Sequence, residues 1–269
     1  MSTRTFRTLL VPTLCALALS CILPSARAQR EYDAANGTLP EAQGWTYIGS
    51  NASPTPSVSG GILFQNSLTN NATQAWRRTD IVNDFNIGSP RFFFETNIKV
   101  DQSDYINFLG SSGDAWRTGY MMYVADNDGH SFILGLTNNG LRLSTDQNGV
   151  TDALSSPFLN FDTTSGFNTY RLEVSNGIGD LYANGSLLTS LPVGQTYSGV
   201  SNRVLIGSFP GGIQPGGSTE MHYLDYGVVT AATPEPSTFA LLVGMGVTGI
   251  GVTMRRRGQK SRTALPSRE

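Results

Sequence analysis

Cleaving a glycosidic bond takes two carboxyl groups facing each other across it, about 5 Å apart for retention of configuration and wider for inversion. On a β-strand alternate residues share a face, so acidic residues two apart along one strand would deliver such a pair. The chain has no such string. Glu95 and Asp101 are six apart with nothing acidic between them, and Glu173 stands alone in its stretch. Each reads as a solvent-facing strand residue, and only a pair drawn from distant strands is left open. The expectation is a noncatalytic domain with no catalytic residue.

Metal and sugar chemistry have more to work with. His130 and His222 are the two histidines of the chain and fall in different predicted strands, so neither a His-rich metal site nor a nearby Ser-His-Asp set is visible. Asp126-Asn127-Asp128-Gly129 places oxygen ligands at alternate positions before a glycine, which suits calcium, and makes Asp126 and Asp128 the candidate ligands. The downstream glutamate of an EF-hand loop is missing, and a hairpin turn is needed at this place anyway. No other cofactor is expected. Trp76-Arg77-Arg78 and Trp116-Arg117 set a tryptophan beside charge in stretches with few apolar neighbours. Trp76 and Trp116 are therefore the candidates for an exposed sugar-stacking ring, with core packing as the competing use of such side chains.

The elements that would carry these residues are strands. Phe92, Phe94, Ile98 and Val100 alternate with Glu95, Asn97 and Lys99, and Tyr170, Leu172 and Val174 alternate with Arg171, Glu173 and Ser175. Strands are expected near 62–66, 74–78, 91–100, 118–125, 131–137, 140–145, 169–175, 179–183, 186–191, 203–208 and 220–229, with one more at 45–49. Asp128-Gly129, Asn139-Gly140, Asn148-Gly149 and Asn184-Gly185 supply tight turns, since the Gly and the Asn or Asp before it accept positive φ. The stretches 51–61 and 210–218 are rich in Gly, Pro and Ser and read as loops. The fold class this predicts is all-β, a two-sheet antiparallel sandwich or jelly roll. Residues 170–188, with Tyr170-Arg171-Leu172-Glu173-Val174 leading into Leu181-Tyr182-Ala183-Asn184-Gly185, resemble the hairpin of the concanavalin A-like, laminin G-type sandwich.

Both cysteines, Cys15 and Cys21, precede that region. Arg4 and Arg7, the apolar run from Leu9 to Leu23, and the small residues Ala26 and Ala28 form a signal peptide cut by signal peptidase after Ala28. The mature domain then has no disulfide and no thiol. Between Gln29 and Pro236 there are nineteen Asp or Glu against nine Lys or Arg. An acidic domain without a basic patch repels a phosphate backbone, so nucleic acid is excluded as the expected partner.

At the other end Pro234-Glu235-Pro236 precedes the uncharged run 239–254, which is followed by Arg255, Arg256 and Arg257. Sixteen residues reach about 24 Å as a helix, short of the roughly 30 Å hydrocarbon core, so a single-span helix here is a marginal anchor. The arginines orient it with the C-terminus in the cytoplasm. Residues 234–257 resemble the PEP-CTERM sorting domain. That resemblance implies recognition by an exosortase, processing near the Pro-Glu-Pro signature after transient anchoring in the inner membrane, and delivery to the outer surface or extracellular matrix of a Gram-negative type bacterium that makes extracellular polysaccharide. The expected organisation is a signal peptide at 1–28, a sandwich at 29–231, the sorting signal at 232–257 and a cytoplasmic polar extension at 258–269. The expected role is that of an exported, noncatalytic surface or matrix protein binding extracellular polysaccharide. The competing readings are an exported glycoside hydrolase or lyase of the same fold and a purely structural coat or adhesion domain.

Overall fold

The computed structural model describes residues 26–49, 54–68, 73–81, 85, 89–103, 119–145, 156–194, 202–208 and 217–229. Among them fifteen strands follow in chain order: β1 (Ala26–Asp33), β2 (Thr46–Tyr47), β3 (Ser57–Ser59), β4 (Ile62–Asn66), β5 (Gln74–Arg78), β6 (Phe92–Ser103), β7 (Tyr120–Ala125), β8 (Ser131–Thr137), β9 (Gly140–Ser144), β10 (Leu159–Asn160), β11 (Asn168–Ser175), β12 (Ile178–Ala183), β13 (Ser186–Pro192), β14 (Arg203–Ser208) and β15 (Gly217–Val229). Every pairing is antiparallel. Sheet A runs β13-β12-β11-β6-β15-β4-β3, with β1 also pairing with β15, and sheet B runs β10-β9-β8-β7-β14-β5-β2. The all-β two-sheet sandwich is thus present. Among the described residues no helix is long and apolar enough to cross a membrane. The sorting residues Pro234, Glu235, Pro236, Arg255, Arg256 and Arg257 and the run 239–254 lie outside the described residues.

The core lies between the sheets. Alternation along β6 sends Phe92, Phe94, Ile98 and Val100 inward, where they meet Tyr170, Leu172 and Leu181 of the same sheet and Met122, Val124, Phe132 and Leu134 of sheet B. Phe92 packs edge-on to Phe94 at 5.9 Å between ring centroids, and Phe94 lies 5.1 Å from Tyr226. Strands β7 and β8 are buried along their whole length. Their outer faces carry Met121, Tyr123, Ala125 and Ile133, which form a second apolar cluster with Leu205 of β14, and this is why these segments read as continuous apolar runs.

Turn chemistry fixes the register of β11, β12 and β13. Asn176 and Gly177 have φ of 52° and 73°, and Asn184 and Gly185 have 50° and 80°, so both two-residue loops turn through the left-handed region that tight hairpins need. The β8–β9 turn differs from expectation by one residue. Thr137 pairs with Gly140, so Asn138 and Asn139 make the turn and Gly140 opens the next strand. Three strands were not expected. β1 starts within the stretch read as the end of the signal peptide, β3 lies in a patch read as loop, and β10 has two residues. Each forms on a partner remote in sequence or too short to show a period.

Candidate functional site

The outer face of sheet A gathers charged residues from five strands into rows. In one row Tyr182 of β12 stands opposite Arg171 of β11, Arg171 opposite Glu95 of β6, Glu95 opposite Asp225 of β15, and Asp225 opposite Arg30 of β1. Directly opposite residues on antiparallel strands have Cβ atoms about 4.5–5.5 Å apart, so Glu95 and Asp225 form a carboxylate pair. The members are drawn from strands 130 positions apart in the chain (225 − 95).

Each carboxylate is held in place. The Arg171 guanidinium lies 3.6 Å from the centre of the Phe93 ring, its Nη1 3.5 Å from Glu95 Oε2 and its Nε 2.8 Å from Glu173 Oε1. Tyr223 Oη donates to Glu95 Oε1 at 3.3 Å. Arg30 pairs with Asp225 and with Asp33, and its guanidinium lies 4.1 Å from the centre of the Tyr223 ring. Both cations thus lie over aromatic rings, where dispersion and the ring quadrupole hold them. Burial raises the pKa of the Asp225 carboxyl; Arg30 opposes that shift and the charge of Glu95 adds to it. Of the two carboxyls, Asp225 is the one that burial pushes towards its protonated form.

The next row, Thr169, Asn97 and Tyr223, is shaped by an irregularity in β15. Met221 pairs with Ile98 and Tyr223 with Asn97, leaving His222 as an extra residue. Such a bulge re-aims a side chain. His222 Nδ1 lies 2.8 Å from Asn97 Oδ1, and its ring stacks on Phe167 with centroids 3.9 Å apart.

The residues singled out from sequence are placed elsewhere. Trp76 is fully buried and donates from Nε1 to Glu41 Oε2 at 2.8 Å, so it is a core residue and not an exposed sugar platform. Its neighbour Arg77 is the exposed one, because alternation sends the two to opposite faces. Trp116 lies outside the described residues. Asp126, Asp128 and His130 do bring ligand atoms within 4.8 Å of one another. The Asp126 carboxylate is nonetheless already occupied. Oδ1 accepts from the amides of Asp128 at 3.0 Å and His130 at 2.8 Å, while Oδ2 accepts from the Phe85 amide at 3.2 Å and lies 2.9 Å from His130 Nδ1. A fully buried carboxylate in that position staples the β7–β8 turn, and the geometry fits this better than a calcium cage. Ala26 and Ala28 lie in β1, opposite Val229 and Gly227.

Sequence reasoning missed Asp225, Tyr223, Arg171 and Arg30. Each has an unremarkable neighbourhood, and the one available signal was that Glu95 and Asp225 both fall on the polar side of their strands.

No family model matches the chain, and no curated protein matches it. Among solved structures it is similar to a sialidase, at 10% identity and a TM-score of 0.46 over 78% of this chain and 19% of that chain. It is also similar to a Crh5 transglycosylase, at 12% identity and 0.47 over 78% and 87%, and to a family 7 alginate lyase, at 12% identity and 0.42 over 76% and 93%. The chain thus spans less than a fifth of the sialidase. At these identities the likeness concerns the β-sandwich fold. The noncatalytic expectation is corrected here: the similar structures include a transglycosylase, a glycosidic hydrolase and alginate lyases, so the sandwich by itself does not set enzymes apart from binding domains. The acidic-string test behind it also failed for a physical reason, since it looked along single strands and this pair is built across two.

Proposed function

We propose that the domain is an exported polysaccharide-cleaving enzyme that works at the outer face of sheet A, with Glu95 and Asp225 as its acid–base pair. The observation that carries this is the direct cross-strand opposition of the two carboxyls, with Asp225 raised in pKa by burial. Asp225 delivers the proton to the departing sugar oxygen. Glu95 faces it, held between the Arg171 guanidinium and the Tyr223 hydroxyl. Arg171 and Arg30 orient the pair, Tyr182 offers a hydroxyl along the same row and Tyr223 one from the next row. The likeness to carbohydrate-active sandwiches is compatible with this reading and is not its basis.

The address belongs to the same proposal. The signal peptide sends the chain through the inner membrane, and the tail resembling a PEP-CTERM signal gives it to an exosortase for delivery to the outer surface or matrix, where extracellular polysaccharide is at hand.

The test is turnover. The full chain, exported from a host with an exosortase, is incubated with a panel of extracellular polysaccharides while new reducing ends are counted. Glu95→Gln and Asp225→Asn should each lower turnover about 100-fold to 10,000-fold with unchanged circular dichroism. Turnover that survives both substitutions, or the absence of turnover on every chain in the panel, would overturn the proposal.

A further inference from the structure

We infer that the sugar chain received by the outer face of sheet A is neutral, and that the bond is broken by hydrolysis and not by elimination. This rests on the proposed polysaccharide-cleaving role and names the substrate class of the same face.

The argument is the balance of charge on that face. It presents four cations among the described residues, and none is unpaired. Arg30 is held by Asp33 and Asp225, Arg171 by Glu95 and Glu173, Arg91 by Glu173, and Lys99 by Asp101 and Glu220. The carboxylates outnumber the cations, and Asp180 of β12 adds one more opposite Glu173. A uronate arriving here would enter a field of its own sign. To gain a guanidinium partner it would have to displace a carboxylate, leaving that group largely buried and uncompensated. Glu173 and Asp225 keep 10% and 12% of their side-chain surface exposed, so the cost of stranding them is high. A sugar hydroxyl carries no charge and can both donate and accept. It can donate to a carboxylate oxygen that retains its arginine.

The chemistry follows from the class of chain. Elimination removes the proton next to the carboxylate of a uronate, and a neutral sugar has no such activated proton. For a neutral chain Asp225 gives its proton to the glycosidic oxygen as the C1–O bond breaks, while a Glu95 oxygen bonds to C1. Asp225, now ionised, then takes a proton from water, and the water oxygen bonds to C1 as the Glu95 ester breaks. The sum is one water consumed and one bond cut, with both carboxyls restored.

The experiment offers the full exported chain two neutral polysaccharides, a β-glucan and a galactomannan, and two acidic ones, alginate and polygalacturonate. Reducing ends and the ultraviolet absorbance of unsaturated sugars are read together. In parallel Asp225→Asn is run by electrophoresis through gels containing each polysaccharide, a binding readout that needs no turnover. The expected result is reducing ends from a neutral chain only, no unsaturated product, and retardation in a neutral gel that persists when salt is raised. Cleavage of an acidic chain, an unsaturated product, or salt-sensitive retardation in an acidic gel would overturn this inference while leaving the polysaccharide-cleaving role in place. Neither turnover nor retardation with any of the four would remove that role, and this inference with it.

Discussion

Glu95 and Asp225 owe their chemistry to their position in adjacent strands, and that position sets what each substitution should do. Directly opposite strand residues hold their Cβ atoms about 4.5–5.5 Å apart, and with Glu95 as the nucleophile proton NMR of fresh product from an active neutral substrate should show the anomeric configuration retained. The inverted anomer appearing first would reassign Glu95 from nucleophile to water-activating base. Asp126 is a residue of the opposite kind, one whose acidity serves the turn. Asp126→Ala removes the acceptor for three backbone amides around a fully buried site. Each stranded donor costs about 1–3 kcal/mol, so urea denaturation should report a loss of at least about 2 kcal/mol. A rise in melting temperature on adding calcium to the unsubstituted protein would instead return Asp126 and Asp128 to the role of ligands.

At the level of elements, β1 joins the two sheets. Its Glu31 is skipped by the register with β15 and reaches Arg78 of β5, with Nη1 2.7 Å from Oε2. Burial lifts the Glu31 pKa in spite of Arg78, as burial also lifts Asp225. A carboxyl raised on folding favours the folded state most at pH below its ordinary value, and that contribution is lost as pH rises through the folded pKa. Melting temperature should therefore fall as pH is taken upward from the ordinary values of 4.5 for Glu31 and 3.8 for Asp225. Glu31→Gln should flatten that fall, because Arg78 keeps Asp80 at 2.8 Å as its partner. A slope unchanged by the substitution would assign the pH dependence to other groups. The hairpins are governed by backbone instead. A Cβ on Gly185 would meet nothing within 4 Å, yet its φ of 80° disfavours any side chain, so Gly185→Ala should cost about 1–2 kcal/mol by denaturant titration.

On the scale of the whole molecule, processing and site meet in β1. Cleavage after Ala28 would remove the residues opposite Gly227, Val228 and Val229 and leave Arg30 next to the new N-terminus, still opposite Asp225. Mass spectrometry of the exported protein should find Gln29 first and no Arg255–Arg257 cluster; a product still carrying the cluster would make the tail a permanent anchor. The hydrophobic alternation of 92–100 and 169–175, the Asn-Gly turn at 184–185 and the acidic balance of the central region are local or additive properties, so the sequence by itself determined that this is an antiparallel β-sandwich and where most strands lie. The side to which Trp76 points was open to the same reasoning, since alternation turns it away from exposed Arg77, but the charge beside it drew attention to the wrong face. The Glu95–Asp225 pair is different. It exists only once β6 and β15, more than a hundred residues apart, are paired in one register, and a shift of a single residue would turn one of the two carboxyls into the core. Register between remote strands is fixed by how the whole core packs, which no window of sequence contains, and so the tertiary structure alone decided where the carboxylates meet.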